Sequence, residues 1–314
     1  MTTESAFIAR LRALATHPAA RGLLDDAAVL PAPLGRDLVL THDMLVEGVH
    51  FLPGDPPGDV AWKLLAVNLS DLAAKGATPI GVLMGYALAD DDAWNEAFLD
   101  GLARALAYFE VPLLGGDTVS SPGPRSLGLT AIGQAAAGLA PARSGAKEGD
   151  LLWVTGTIGD AGLGLRIARG EIEGPRRLLK AYRLPMPRLA AGQALAPHVH
   201  AMADVSDGLL IDAGRIAAAS GLAIAIDLAA VPLSPEYLAI MGNGRTARLA
   251  AATTGDDYEL LFAAPDAILT LCQPLKLNLI PIGRFSEGAG LKLSDGDGAV
   301  PLPARLGYEH GAIA

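Results

Sequence analysis

The 314-residue sequence contains a single cysteine, Cys272. That excludes an internal disulfide and any zinc ribbon or finger. With no sign of an oxidising compartment, a soluble, cytoplasmic setting is expected. Charged residues are scarce, 18% against a hydrophobic fraction of 51%, the opposite balance from a disordered chain. Long apolar runs are also lacking. The longest stretch without a charge, Ser126 to Ala142, is broken by Gly128, Gly133, Gln134, Gly138 and Pro141, so no segment suits a membrane span of about 20 helical residues. Glu4, Arg10 and Arg12 interrupt the N-terminal apolar stretch, which reads as a short amphipathic helix and not as a secretory signal. No basic cluster exceeds the pair Arg176 and Arg177 in a chain of net charge −10 and pI near 5.0. A nucleic-acid backbone therefore finds no electrostatic footprint here.

What is present suggests two domains, since one ordinary domain needs roughly 150 residues. Strand-like and helix-like segments alternate. Residues 37–41 form a β-type run, and Asp59 is placed to cap a helix from Val60 to Lys75 with Gly76 at its stop. Trp94, Phe98, Leu102, Leu106 and Phe109 make one stripe of a helix over 92–109. Residues 111–114 and 126–134 read as strands. The Ala-, Gly- and Pro-rich stretch 135–150 marks a boundary, giving an N-terminal domain over 1–137 and a C-terminal one over 146–314. The second half restarts with a strand over 151–155, a glycine-rich turn over 156–162 and a helix. The Pro-broken segment 183–188 opens another helix, 202–205 is a strand, Ser206 caps a helix closed by Gly221, and 223–226 is a strand again. Alternation in both halves gives an α/β (or α+β) class with two lobes.

The informative pattern is the placement of aspartates. Asp25 and Asp26, Asp43, Asp71, Asp117, Asp204 and Asp207, and Asp256 and Asp257 each adjoin an apolar segment. Buried carboxylates are costly without a metal, a cation or several N–H donors. Asp is also an ordinary cap and turn residue; Asp207 also suits a first-turn acid, and Asp71 has Lys75 at i+4. Six segments sharing one pattern nevertheless favour a common acidic site. Asn68, Asp71 and Lys75 fall on one polar stripe of an otherwise apolar helix. Hard oxygens without Cys or clustered His favour Mg²⁺ over zinc or copper, and an acidic protein that handles phosphates needs such an ion. Walker A and protein-kinase loop signatures are missing. The turn over 156–162 has GxxGxxG spacing and reads as a plain strand-to-helix connection. His198 and His200 form an HxH pair without a third ligand and read as surface or capping groups; Cys272 reads as a buried thiol.

In order along the chain stand LLDDAAVL, THDMLVEGVHF, LLAVNLSDLAAKGA, LLGGDT, ARSGAKEGD, VTGTIGDAGLGL, LPMPR, ADVSDGLLIDAGRIAAASG and TGDDYELLF. Together these resemble the thiamine-monophosphate kinase family of the aminoimidazole-ribonucleotide-synthetase-like superfamily, over about Leu11 to Tyr308. GGDT is shared across the superfamily; THDMLVEGVHF with TGDDYELLF is narrower. The resemblance implies a two-domain architecture: an N-terminal ATP- and Mg-binding lobe that dimerises through its sheet, and a C-terminal α/β lobe covering the site. It implies ATP-dependent phosphorylation of thiamine monophosphate to thiamine diphosphate, with several Mg²⁺ ions and ATP as co-substrate; a monovalent cation is left open. The Mg²⁺ ligands implied are Asp26, Thr41, His42 through its backbone, Asp43, Asp71, Asp117, Asp204 and Asp207, with Asp43 and Asp207 closest to the reaction. Gly116, Asp117, Arg143 and Ser206 would meet ATP, and His50, Asp256 and Tyr308 the substrate. Partners would be the two substrates and a second copy of the chain, with no nucleic acid and no membrane.

Three positions depart from the family pattern: Leu24 where glycine is usual, His42 where threonine is usual, and Asp256 where the longer Glu is usual. Two other readings stay open, another ATP-dependent synthetase of the superfamily and a non-catalytic nucleotide-binding regulator. A selenophosphate-type synthetase would want a reactive Cys near the N-terminus, which this chain lacks.

Overall fold

The computed structural model describes residues 3–24, 27–31, 33–88, 91–272 and 277–309, the side chains of 3–5 and 272 excepted. The chain divides into two units, Met1–Leu72 with Ala77–Gly138, and Ala73–Gly76 with Leu139–Ala314.

The first unit contains α1 (Thr3–Leu14), β1 (Arg36–Val46), α2 (Pro57–Ala73), β2 (Thr78–Leu88), α3 (Asp92–Phe109), β3 (Leu113–Ser120) and β4 (Ser126–Ala136). Its four strands run in the order β1-β4-β2-β3, so β1 and β3 are the edges. β2 and β3 are parallel and the other pairs antiparallel. The α3 stripe buries Phe98 and Leu102 fully and Leu106 nearly so, and the helix stops at Glu110 in a left-handed conformation, φ 54°. α2 starts earlier than its sequence suggests. Pro57, whose missing N–H costs nothing in a first turn, begins it, and Asp59 lies inside that turn instead of capping it. At Leu24, φ is −112°, ordinary backbone for any residue, so this position does not require glycine.

The second unit contains β5 (Leu151–Thr155), α4 (Asp160–Ala168), α5 (Arg176–Arg183), α6 (Leu189–Leu195), β6 (Ala201–Asp204), α7 (Leu209–Ser220), β7 (Ala223–Asp227), α8 (Pro235–Met241), α9 (Arg245–Thr253), β8 (Leu260–Ala264), α10 (Ile268–Cys272), β9 (Leu279–Ser286), β10 (Gly290–Asp295) and β11 (Gly298–Val300). A seven-stranded sheet runs β11-β10-β7-β9-β5-β8-β6. Its central strands are apolar on both sides, as a doubly covered sheet requires. Leu152, Val154, Leu261 and Ala263 enter one core with α7 and α9 residues; Trp153, Met202, Leu260 and Phe262 enter a second with Leu195 of α6. The register aligns the ends of three strands: Val154 pairs with Leu261, and Asp204 with Leu260. Thr155, Asp204 and the approach to β8 therefore share one end of the sheet.

Candidate active site

β1 carries three expected ligands in succession. Strand alternation sends Thr41 and Asp43 to one face and Leu40, His42 and Met44 to the other, where Leu40 and Met44 are 63% and 50% exposed. The first face is fastened to α2. The Thr41 hydroxyl donates a short hydrogen bond to Asp71 Oδ2, and the Asp43 N–H donates to Asn68 Oδ1 at 2.9 Å. Asn68 is fully buried and its amide donates to Leu64 O at 2.9 Å. Thr41, Asp43, Asn68 and Asp71 thus form one oxygen-rich patch. His42 is not part of it. Its Nδ1 lies 2.9 Å from Thr130 Oγ1 on β4, so any contribution to an ion at this patch is confined to its backbone. Lys75 belongs to the second unit, where its Nζ donates to the carbonyls of Pro141 and Met202 at 3.0 and 3.3 Å.

Beyond β1 the chain folds back to present His50. The Val46 N–H donates to His50 Nδ1 at 3.0 Å, the His50 N–H donates to Val46 O at 2.9 Å, and Lys63 Nζ holds the His50 carbonyl at 3.0 Å. With Nδ1 accepting, the neutral ring carries its proton on Nε2.

Gly116 and Asp117 occupy the opposite edge of the sheet. A side chain at Gly116 would collide with the Met84 carbonyl, so only glycine lets β3 pass there. Asp117 is exposed and its Oδ1 accepts from the Thr118 N–H at 3.0 Å. Asp43 lies opposite Leu129, Leu129 opposite Met84 and Met84 opposite Gly116. Three strand spacings, on the order of 14 Å in all, therefore separate Asp43 from the Gly116–Asp117 edge, and one copy of this sheet does not bring the two carboxylates together. A cavity of about 760 Å³ in this unit is lined by His42, Met84, Gly85, Gly116, Asp117 and Thr130, among others. Asp26 lies outside the described residues.

In the second unit, β6 ends in Asp204, 4% exposed, and the chain turns through Ser206 and Asp207 into α7. The expected cap is not the one found. Gly208 takes the N-cap position without a side-chain bond, and Asp212 reaches back to accept from the N–H groups of Ser206, Asp207 and Gly208 at 3.1, 3.1 and 3.3 Å. One carboxylate oxygen thereby holds the three consecutive N–H groups of the turn that leads into the helix. Arg215 Nη1 bridges Asp212 Oδ1 at 2.8 Å and Asp207 Oδ2 at 2.5 Å. Burial pushes the Asp212 pKa up, and the Arg215 charge opposes the rise.

Backbone bonds collect the remaining expected residues of this unit. The Asp256 N–H donates to Ser206 O, and the Tyr308 N–H to Asp207 O, both at 2.8 Å. Asp204, Ser206, Asp207, Asp256 and Tyr308 therefore share one region, with the Tyr308 side chain 46% exposed. Arg143 stands exposed on the segment before β5.

Beside them is an acidic cluster whose members had no assigned role. Glu259 accepts from Thr155 Oγ1 at 2.6 Å and from Arg188 through Nε at 2.7 Å and a shorter Nη2 contact. Asp257 accepts from the Gly159 N–H at 2.9 Å, and Asp160 from Ser234 Oγ at 2.5 Å and Arg177 Nη1 at 3.0 Å. Burial raises the pKa of Glu259 against the pull of Arg188. It raises that of Asp257 well above the carboxylate range, helped by the charges of Glu259 and Asp160 and opposed by the Gly159 N–H. The signals for this cluster were Arg188 in LPMPR and Glu259 in DYELLF. His200 is also more than a surface group: its Nδ1 lies 2.8 Å from Asp150 Oδ2 and its Nε2 3.0 Å from Lys147 Nζ. Among the described residues, no group of three or more His, Cys, Asp or Glu side chains is placed to hold a metal ion, and no helix is long and apolar enough to cross a membrane.

Two family models match the chain, AIR synthase related protein, N-terminal domain, over residues 24–135, and AIR synthase related protein, C-terminal domain, over 147–296. The thiamine-monophosphate kinase of Caulobacter vibrioides is 43% identical over 98% of this chain and 91% of its own length. The chain belongs to the thiamine-monophosphate kinase family. Among solved structures, the thiamine-monophosphate kinase of Stenotrophomonas maltophilia superposes with a TM-score of 0.81 at 39% identity, covering 93% of this chain and 95% of that one. A second member of the family, AaThiL complexed with AMPPCP and TMP, gives a TM-score of 0.78 at 30% identity, covering 89% of each chain.

Proposed function

We propose that this chain transfers the γ-phosphoryl group of ATP to the phosphate of thiamine monophosphate, giving thiamine diphosphate and ADP. The observation that carries the reading is identity of 43% to a thiamine-monophosphate kinase along 98% of the chain, in a family where one member is complexed with AMPPCP and TMP. Both reactants are anions, so the barrier is charge repulsion and the protein's task is positioning and neutralisation.

The oxygen-rich patch fits Mg²⁺. This ion is commonly held by one or two carboxylates, with waters and substrate phosphates completing an octahedron. In the first unit the proposed ligands are Asp26, Thr41, the His42 backbone, Asp43, Asp71 and Asp117; in the second, Asp204 and Asp207. The Arg215 bridge holds Asp207 until an ion competes for it. When bound, Mg²⁺ neutralises the polyphosphate oxygens. This chain's own groups do the rest. Gly116, Asp117, Arg143 and Ser206 meet ATP. His50 offers a neutral Nε2–H to the substrate phosphate, Asp256 faces the cationic thiazolium, and Tyr308 lies against the thiamine. A domain over 1–137 would bind ATP and Mg²⁺ and dimerise, with the second domain over 146–314. The face of β1 bearing Leu38, Leu40 and Met44, each at least 50% exposed, supports a homodimer formed through this sheet, and a cytoplasmic enzyme of thiamine biosynthesis accords with the single cysteine.

The test is incubation of the protein with ATP, Mg²⁺ and thiamine monophosphate, with thiamine diphosphate read by chromatography. Product that requires all three supports the reading; absence of product across a range of Mg²⁺ concentrations overturns it. Calorimetric nucleotide binding without turnover would favour a regulator instead.

A further inference from the structure

The turn between α9 and β8 is strained over a very short length. Asp256 and Tyr258 both hold positive φ, 70° and 50°, a region that non-glycine residues occupy only when their surroundings impose it. Gly255 before them leaves no room for a side chain, because a Cβ there would strike the Ser206 carbonyl. What imposes the conformation is a set of bonds to the segment carrying Asp204 and Ser206. The Asp256 N–H donates to Ser206 O, the Tyr258 N–H to Val205 O, and the Val205 N–H to Glu259 O, each at 2.8 Å. The side chains then divide. Asp257 turns to the Gly159 N–H, and Glu259 to Thr155 and Arg188. Tyr258, 7% exposed, places its hydroxyl 3.0 Å from Asp256 Oδ1 and donates to it.

A buried phenol needs a partner for its O–H, and a carboxylate receiving a charge-assisted hydrogen bond from a rigid donor loses rotational freedom. Asp is a short side chain, and small errors in its aim cost a directional ion contact much of its strength. We propose that Tyr258 is a positioning residue for the substrate subsite: its hydroxyl fixes the Asp256 carboxylate in the orientation that meets the thiazolium cation of thiamine monophosphate. Tyr258 acts through Asp256 and touches neither the phosphates nor the nucleotide. The assignment rests on the thiamine monophosphate reading and names how that subsite is held.

The experiment is steady-state kinetics on full-length Tyr258→Phe, which keeps the ring and removes the O–H. The KM for thiamine monophosphate should rise about tenfold, while kcat and the KM for ATP stay within about twofold. Asp256→Asn should raise the same KM, and Tyr258→Phe added to it should contribute less than about a further twofold, because both changes remove one interaction. An unchanged KM in Tyr258→Phe, full additivity in the double variant, or parallel losses in kcat, ATP affinity and melting temperature would each overturn the assignment. A wild-type protein without turnover overturns the functional reading itself, which keeps the two failures apart.

Discussion

Asp43 reaches α2 through its backbone N–H, so exchanging its carboxylate for an amide changes charge and leaves the 2.9 Å bond to Asn68 in place. Asp43→Asn should lower kcat/KM on the order of a hundredfold or more, the scale of losing one preorganised electrostatic contact, with the melting temperature essentially unchanged; a calorimetric scan beside the kinetic assay checks both. Asp257 behaves differently, because its pKa is raised by burial first and by neighbouring carboxylates second. Between the ordinary carboxylate range and that raised value, the folded protein holds a proton the unfolded chain has released, so stability falls as pH rises through this window. Asp257→Asn keeps an acceptor for the Gly159 N–H and titrates nowhere. Its melting temperature should vary less with pH from the acid to the neutral range than that of the parent. At this scale the pattern of acids beside apolar segments singled out Asp204, which the structure buries at the end of β6, and Asp43 and Asp71, on β1 and α2 where these two elements are hydrogen-bonded to each other. It was mute at Asp212 and Asp160, which sit in first turns where any helix welcomes an acid. His42 could have been sorted by alternation alone, since it lies one residue from both Thr41 and Asp43.

Helix α7 begins without a side-chain cap at its N-cap position and relies on a carboxylate inside its own first turn. Asp212→Ala would strand the N–H groups of Ser206, Asp207 and Gly208 and leave Arg215 with one partner. Denaturant unfolding should report a loss of about 1–2 kcal/mol, the usual scale for removing a cap, and nucleotide affinity should weaken with it because Ser206 belongs to the released segment. Elements with strong periodicity were the easiest to foresee: the α3 stripe and the strand over 151–155 stand where the pattern puts them. Boundaries decided by a single residue were harder. Pro57 begins α2 and Gly208 takes the N-cap position of α7, where the sequence pointed to Asp59 and Ser206.

Across the molecule, two AIR synthase related domains account for most of the chain; the α/β class was legible in the alternation of strands and helices, and the family resemblance supplied the particular two-domain architecture. The quaternary expectation is tested on the exposed side of β1. Leu40→Glu puts a charge in a face where Leu38 and Met44 are each 50% exposed, and light scattering after gel filtration should show the dimer shifted towards monomer. A native dimer peak in that variant would remove this face from the interface.

The separation of Asp43 and Asp117 on opposite borders of the four-stranded sheet has a genetic corollary. If both acids serve one reaction centre and meet there across the interface of the proposed homodimer, each centre borrows from two polypeptides, and two dead variants can repair each other. Asp43→Asn mixed in equal amounts with Asp117→Asn, dissociated and reassembled, should recover about a quarter of native turnover, one intact centre in every hybrid pair. Centres assembled from one polypeptide would stay silent in any mixture.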